Sequence, residues 1–126
     1  MRAFVTRNFD RWLRRERLEE TMLFDAATEV VLGYVEGDLG GFLFKKRIAR
    51  AGAGKSGGYR TIIGYRKGRS DRIIFLYGYA KNVRDTLTAQ DEKAFAKAAR
   101  KFVEMDDASL EILLAEVRVR ELKDIK

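Results

Sequence analysis

The cations of this chain are concentrated in one third of its length, where they could bind phosphate and stabilise charge on it. Between residues 40 and 84 there are twelve lysines and arginines but a single acid, Asp71. The segment therefore carries a local charge of +11, and the rest of the chain must carry −4 to give the overall +7. The twelve cations are Lys45, Lys46, Arg47, Arg50, Lys55, Arg60, Arg66, Lys67, Arg69, Arg72, Lys81 and Arg84. Such a surface attracts polyanions, and RNA or DNA is the obvious ligand.

A predicted β-hairpin gives one of these cations a defined position. Residues 59–66 and 72–79 are rich in β-branched and aromatic side chains, and a short glycine-containing turn separates them, which predicts two antiparallel strands. A turn centred on Arg69 would place Arg60 opposite Gly78. The missing side chain of Gly78 would then leave room for a ligand group beside Arg60. A register shift of one residue would undo this pairing.

Arg60 and three further cations are predicted to meet around one phosphate. Lys81 and Arg84 follow the strand over 72–79, close to the end at which Arg60 begins its own strand. Lys55 enters that end from the preceding loop. The alternative reading is that these residues are solvated surface cations, which is the usual fate of any single lysine or arginine. The near absence of acids favours a functional cluster.

Tyrosines lie within the same basic segment and are candidates for stacking on bases. Tyr65, Tyr77 and Tyr79 stand in the two predicted hairpin strands. Aromatic side chains stack on nucleic-acid bases without regard to sequence, which makes them natural companions of a cationic groove. In the alternative reading they belong to the core, as we expect for Trp12 and the other aromatic residues.

Missing residue types exclude several kinds of chemistry. The chain has no histidine and no cysteine, so it lacks the commonest general base, thiolate metal ligands and disulfides. Gly54-Lys55-Ser56 resembles the end of a P-loop, but Ala49 stands where its first glycine belongs and a strand follows. We therefore expect no nucleotide hydrolysis, no metal and no cofactor. With no apolar leader and no stretch of transmembrane length, we expect a cytoplasmic protein without a membrane partner.

The hydrophobic pattern predicts one α+β domain over residues 1–126. The predicted elements are a short strand at Phe4 and Val5, helices over 8–17 and 19–36, strands over 42–48, 59–66 and 72–79, a helix that begins at Thr88, and a short helix over 107–115. Asn8 is the predicted N-cap of the first helix, and Thr88 with Asp91 forms a predicted capping box. Residues 52–58 are expected to be a flexible loop, and the tail after about Val119 to be loose.

These elements predict a small antiparallel sheet with the N-terminal helices and a C-terminal helix packed on it. The order is β-α-α-β-β-β-α. Each helix has an apolar stripe that must be buried against the sheet. We expect all of them on one face, with the other face partly open.

Two paired segments resemble the core signature of the RelE/HigB toxins of bacterial toxin–antitoxin modules. They are Lys55-Ser56-Gly57-Gly58-Tyr59-Arg60 and Phe75-Leu76-Tyr77-Gly78-Tyr79-Ala80-Lys81-Asn82-Val83-Arg84. The preceding Asp38-Leu39-Gly40-Gly41 and Lys45-Lys46-Arg47-Ile48-Ala49-Arg50 resemble the HigB-like branch. The likeness spans about residues 3–105. It implies a microbial-RNase-like fold, cleavage of mRNA in the ribosomal A site, and neutralisation by a cognate antitoxin that is a small DNA-binding protein.

The resemblance also implies roles for individual residues. Arg60 matches the sheet arginine of that family, while Lys81 and Arg84, with Asn82 between them, match its basic positions after the last core strand. The region that supplies the family's other cations contains Lys46, Arg47 and Lys55. Many RelE proteins use a tyrosine near the C-terminal helix, whereas no tyrosine follows Tyr79 here. The stacking or proton-donor role therefore has no assigned residue.

The chemistry of RNA cleavage fits this set of cations. Attack by a 2′-hydroxyl requires removal of its proton, stabilisation of a dianionic phosphorane and protonation of the leaving 5′-oxygen. Without histidine, Arg60 and Arg84 would have to supply much of the effect electrostatically. Neighbouring cations lower the pKa of a lysine, so Lys81 is our candidate for the base or the acid.

Two other functions remain open from the sequence. The related ParE toxins resemble this scaffold but poison DNA gyrase, which requires no phosphate-transfer cations. A plain nucleic-acid-binding module would use the same residues only to hold phosphate, and would bind in a salt-sensitive way without toxicity. Fold resemblance does not decide among the three, because function depends on the site.

Overall fold

The structure is a computed structural model that describes residues 1–50, 54–68, 72–80 and 87–123. The elements in chain order are β1 (Arg2–Thr6), α1 (Arg7–Arg15), α2 (Glu20–Val31), β2 (Gly37–Gly40), β3 (Leu43–Arg50), β4 (Gly54–Tyr65), β5 (Arg72–Ala80), α3 (Ala89–Glu104), α4 (Asp107–Ala115) and β6 (Val119–Glu121). The α+β class that the sequence predicts is confirmed.

The strands form one six-stranded sheet in the order β2-β3-β4-β5-β1-β6. β1 and β5 run parallel, and the other neighbouring pairs are antiparallel. The parallel pair arises because α1 and α2 carry the chain away from β1 before the β3–β4–β5 meander returns beside it. β4 and β5 therefore lie near the middle of the sheet, where β4 is paired on both sides and β5 is paired on both sides from Arg72 to Phe75.

Helices cover both faces of the sheet, which corrects the prediction of one covered and one open face. One core contains Phe9 of α1 and Leu23 of α2, together with Val5 on the sheet. The other contains Phe102 of α3 and Leu110 of α4. Successive strand residues point to opposite faces, and the adjacent pairs Phe4–Val5, Ile62–Ile63 and Ile74–Phe75 are buried on both. Continuous apolar runs of this kind indicate strands that are buried on both faces.

The first helix begins earlier than its sequence pattern predicts. Thr6, not Asn8, is the N-cap, and its hydroxyl accepts a hydrogen bond from the backbone N–H of Phe9 at 3.1 Å. A threonine oxygen satisfies the exposed N–H groups of the first turn as well as an asparagine does, so composition alone does not distinguish the two caps. The shift leaves Trp12 facing the sheet and the arginines of α1 facing outward.

The second helix is shorter than predicted. It ends at Val31, and Gly33 follows in the left-handed conformation with φ of 94°. A left-handed glycine just after the last turn is a common way to end a helix. Tyr34, which falls within the predicted helix over 19–36, lies beyond α2 and is 65% exposed.

Three further predictions of structure are corrected at the sheet edges. Gly54 already belongs to β4, so part of the predicted loop over 52–58 is strand, while residues 51–53 lie outside the described residues. β2 was not predicted. The tail was predicted to be loose after about Val119, but residues 119–122 are packed on the sheet. β6 pairs with β1, and the buried Leu122 donates its backbone N–H to the carbonyl of Ala3 at 2.8 Å.

The C-terminal helices agree with the sequence pattern. Thr88 caps α3, and its capping box with Asp91 is present in both directions. α4 spans the predicted residues 107–115. None of the helices in the described part of the chain is long and apolar enough to cross a membrane.

Candidate active site

Two arginines and a tyrosine form a row across the three central strands β3, β4 and β5. Arg47 is paired with Arg60, and Arg60 is paired with Tyr79. Directly paired residues have Cα atoms about 4.5–5.5 Å apart and point to the same face of the sheet. Since β4 alternates regularly, this is the face of Ile62, on which α3 packs. We call Arg47, Arg60 and Tyr79 the cross-strand row.

Arg60 is a buried cation without a carboxylate partner among the described residues. It is 7% exposed. Its Nη1 atom donates a long hydrogen bond, 3.4 Å, to the carbonyl oxygen of Tyr59, its own neighbour in sequence. A buried charge is costly unless it is paired, so burial of Arg60 in this position does not favour the fold.

Arg47 is in a similar position. Its Nε atom is buried and has no hydrogen-bond partner within the described chain. Glu36 lies close by, but its carboxylate accepts a hydrogen bond from the backbone N–H of Arg47, at 2.6 Å. That carboxylate holds the strand and leaves the guanidinium available.

Two other buried cations show what a structural role looks like in this fold. Lys46 is 6% exposed, donates to the carbonyl of Tyr34 at 2.9 Å, and forms an ion pair with Glu29 at 3.0 Å. Arg72 is 8% exposed and binds Asp107 at 2.9 Å.

Arg72 also closes the end of α3. Its Nη1 donates to the carbonyl of Phe102 at 3.0 Å and to that of Met105 at 2.9 Å. These carbonyls lie at the C-terminal end of the helix, where the backbone has no intrahelical partners. Arg60 and Arg72 are buried to nearly the same degree. They differ in the groups that they bind.

Electrostatics favour an anion between the two arginines of the row. Like charges directly opposite each other on paired strands destabilise a sheet. Each guanidinium offers a planar set of donors that matches the oxygens of a phosphate. A phosphate bound by Arg47 and Arg60 would replace their repulsion with attraction and supply the hydrogen bonds that they lack.

The structure brings only some of the predicted site residues together. Arg47, Arg60 and Tyr79 share one row. Lys46 and Tyr65 lie on the opposite face, where Lys46 binds Glu29 of α2 and the buried Tyr65 packs against Phe44. The remaining predicted site residues lie outside the described residues: Lys81, Asn82 and Arg84 entirely, and Lys55 in its side chain.

The predicted hairpin register is correct next to the turn, where Ile63 pairs with Phe75 and Tyr65 with Ile73, but it is wrong by one residue at Arg60. Arg60 lies opposite Tyr79, and Thr61 lies opposite Gly78. The pairing is interrupted between Ile62 and Ile63, where β5 contains an extra residue, and such a bulge leaves no mark in the sequence.

Gly78 does not leave room for a ligand. A Cβ atom built on it would lie 2.4 Å from the ring of Trp12, so α1 fills this space on the face opposite Arg60. The glycine serves the packing of a helix, and the ligand position predicted beside it does not exist.

Sequence reasoning missed a groove beside the C-terminal half of β5. It has a volume of about 670 Å³, and Arg11, Trp12 and Arg15 of α1 contribute to its lining. Helical spacing does place Arg11 and Arg15 on one face, four residues apart. Nothing in the sequence indicates that this face borders β5, because that depends on how α1 packs.

Comparison with known proteins is consistent with this architecture. No curated protein matches the chain at a significant level. The model of the RelE family, described as the RelE toxin of the RelE/RelB toxin–antitoxin system, matches residues 1–122. The match spans all six strands and all four helices described above. This chain therefore belongs to the RelE toxin family, the toxin side of a toxin–antitoxin pair, and the family implies a cognate antitoxin as its partner.

Proposed function

We propose that this toxin is a ribosome-dependent endoribonuclease that cleaves mRNA in the A site and stops translation, with Arg60 at the reacting phosphate. The observation that supports it best is the neighbouring pair Arg47 and Arg60: Arg60 is buried, Arg47 is half-buried with a buried Nε atom, and neither guanidinium has an acidic partner among the described residues. A toxin that only blocks a protein surface has no need to keep one buried and one half-buried guanidinium group side by side without a carboxylate.

The cross-strand row suits the charge that develops during cleavage. The 2′-hydroxyl loses its proton to a base, its oxygen forms a bond to phosphorus, the bond from phosphorus to the 5′-oxygen breaks, and that oxygen takes up a proton. Arg60 and Arg47 would bind the non-bridging oxygens, whose negative charge is greatest in the phosphorane. Donors that are fixed beforehand around such a charge lower the barrier without reorganising during the reaction.

The proton transfers belong to residues that we propose from the sequence alone. Lys81 is the proposed base or acid, and Arg84 would add a third positive charge. The remaining alignment of the RNA would come from the ribosome, since correct placement of the reacting groups can itself supply a large part of a rate enhancement. We place this reaction in the cytoplasm and propose that the antitoxin is a small DNA-binding protein.

The test is inducible expression of the wild type and Arg60→Ala, with growth and the mapped 5′ ends of cellular transcripts as readouts. We expect the wild type to arrest growth and to cut transcripts within translated codons. In Arg60→Ala the cuts should fall by about a hundredfold or more, because one stabilising donor is lost. Lys67→Ala is the matched control, since Lys67 is an exposed cation of the adjoining segment and should keep full activity.

Each other outcome contradicts a named part of the proposal. Growth arrest without new transcript ends, but with DNA breaks, would favour a ParE-like action on gyrase. Undiminished cuts in Arg60→Ala would remove Arg60 from the reaction. Undiminished cuts in Lys81→Ala would do the same for Lys81.

A further inference from the structure

A groove runs beside the C-terminal half of β5. β1 pairs with β5 only from Arg72 to Phe75, so within the described chain no strand covers that side of Leu76–Ala80. α1 crosses next to this edge, and the space between them, about 670 Å³, is what we call the α1–β5 groove. Residues that line it include Asn8, Arg11, Trp12, Arg15, Tyr77 and Tyr79. Its volume is within the range of roughly 300–1,000 Å³ that encloses a drug-sized ligand, which is the size of a nucleotide.

Two arginines of the groove have no partner among the described residues. Arg11 and Arg15 are exposed, lie one helical turn apart, and have no described hydrogen bond or ion pair. Arg14, between them in sequence, differs, since it binds Asp10 at 3.4 Å. Among the described lining residues Glu16 is the one acid, so the groove carries a net positive charge.

The groove begins where the cross-strand row ends. Tyr79 lies opposite Arg60 and also lines the groove. Tyr77, one position further along the same face, is half-buried, and its ring packs 5.8 Å from that of Tyr79 and 5.3 Å from that of Phe95. An extended ligand bound at Arg60 would therefore pass over two tyrosine rings before it reached Arg11 and Arg15.

We propose that the α1–β5 groove holds the single-stranded RNA that flanks the scissile phosphate, with Arg11 and Arg15 binding its backbone and Tyr77 stacking on a base. The inference rests on the proposed function, which supplies RNA as the substrate. Cations that follow the backbone, together with aromatic rings that stack on bases, are the usual features of single-strand binding sites. The groove thus lengthens the substrate contact beyond the reacting phosphate.

The other occupant that fits an uncovered strand edge is a peptide that adds a strand to β5. Main-chain hydrogen bonds would hold such a peptide, and they do not depend on arginine side chains. The two unpartnered arginines are better explained by a polyanion, so RNA is the occupant that we argue for.

The test measures how the purified full-length protein binds RNA of two lengths. Fluorescent 2′-O-methyl oligonucleotides of about 3 and about 12 nucleotides resist cleavage because their 2′-oxygens cannot be deprotonated, and only the longer one can span the row and the groove. Arg11→Gln/Arg15→Gln should bind the longer oligonucleotide at least about tenfold more weakly than wild type. It should bind the shorter one within about twofold of wild type, because that RNA contacts the row alone.

Salt dependence gives a second readout. The slope of log affinity against log salt should fall by about 1.4 in the double variant, since each contact to a single strand contributes about 0.7. Arg11→Lys/Arg15→Lys should retain most of that slope. Lys93→Gln/Lys97→Gln is the matched control: it removes two exposed cations with the same spacing from α3, outside the groove, and should behave as wild type.

The outcomes separate this inference from the proposed function. The inference is overturned if Arg11→Gln/Arg15→Gln binds the longer RNA as tightly as wild type does, or if this variant loses affinity equally for both lengths. It is also overturned if Lys93→Gln/Lys97→Gln loses as much affinity for the longer RNA as the groove variant. Retained RNA binding with lost antitoxin binding would assign the groove to a peptide instead. None of these results depends on whether Arg60→Ala abolishes cleavage, so either idea can fail alone.

Discussion

At the scale of single residues, burial of a cation does not reveal its function in this protein, whereas its partners do. Arg60 and Arg72 are almost equally buried, at 7% and 8% exposure. Arg72 binds the carboxylate of Asp107 and two helix-end carbonyls, while within the described chain Arg60 makes one long hydrogen bond, to its neighbour. The first arrangement stabilises the fold, and the second is the one that the proposed phosphate site requires.

Substituting each arginine by methionine should therefore affect stability differently. Arg60→Met removes a charge that faces Arg47, so we expect the free energy of unfolding to stay unchanged or to rise. Arg72→Met leaves the carbonyls of Phe102 and Met105 without their donor and should cost about 1–3 kcal/mol. Urea denaturation of both variants measures this difference. An equal loss in the two would show that Arg60 has a structural role.

At the scale of elements, the packing of α1 on β5 depends on one glycine. The ring of Trp12 occupies the position where a side chain at residue 78 would be, and its edge packs on the ring of Tyr59, with ring centroids 5.2 Å apart. The same contact sets the position of α1, and with it the position of Arg11 and Arg15.

Gly78→Ala should accordingly lower the free energy of unfolding by about 1–3 kcal/mol, because an indole ring has no flexible end that could give way. Gly37→Ala is the control, since a new Cβ in β2 would lie at ordinary contact distances of 3.9 and 4.0 Å. Thermal or urea unfolding checks both. In a Trp12→Leu background the penalty at residue 78 should shrink, and a penalty of the same size there would contradict this explanation.

How much the sequence could predict differs between elements and their arrangement. α4 and the cap of α3 were predicted correctly because capping residues and helical spacing are local signals. The hairpin register was not, because a bulge in β5 shifts it and no residue type marks that bulge. β6 was missed since three residues, two of them charged, carry no strand pattern; they form a strand only because β1 offers an edge.

For the candidate site, too, the sequence predicts the residues better than their arrangement. Arg60 stood out from the charge pattern and from the family signature, and its partner Arg47 was within the predicted set. Side chains alternate along β3, so the sequence is enough to place Lys46 on the face opposite Arg47. Its ion pair with Glu29 depends on where α2 packs. Local patterns therefore give the residues of a site, and tertiary packing decides which of them meet.

At the scale of the whole molecule, ion pairs join the two ends of the chain. Arg2 binds Glu121 through two hydrogen bonds, of 3.0 and 2.9 Å. Arg120 binds Asp10 of α1 at 2.9 Å and also binds Glu20 of α2. The hydrogen bond from Arg120 holds the pKa of Asp10 below its ordinary value of 3.8, and that from Arg2 holds the pKa of Glu121 below 4.5.

Lowered carboxyl pKa values predict a loss of stability in acid. The stabilisation that these two carboxylates supply is fully present above their ordinary values and is lost as the pH falls through the lowered ones. Asp10→Asn/Glu121→Gln should therefore be less stable than wild type at neutral pH, and the difference should vanish by about pH 2. Urea denaturation between about pH 2 and pH 7 measures it.

The control for this measurement uses exposed acids. Glu19→Gln/Glu111→Gln removes two carboxylates that have no ion pair among the described residues, and it should keep the wild-type dependence on pH. An undiminished acid sensitivity in Asp10→Asn/Glu121→Gln would show that other groups are responsible.

The joining of the two ends also bears on when a newly made toxin can act. β1 is held between β5 and β6, and its contact with Glu121 spans 119 residues of chain. Pairings so distant in sequence form late, because closing a long loop costs entropy before any contact compensates for it. While a ribosome still encloses the segment that becomes β6, one edge of β1 stays uncovered. We therefore expect the folded toxin to form only after that segment has emerged, which would give the antitoxin time to bind.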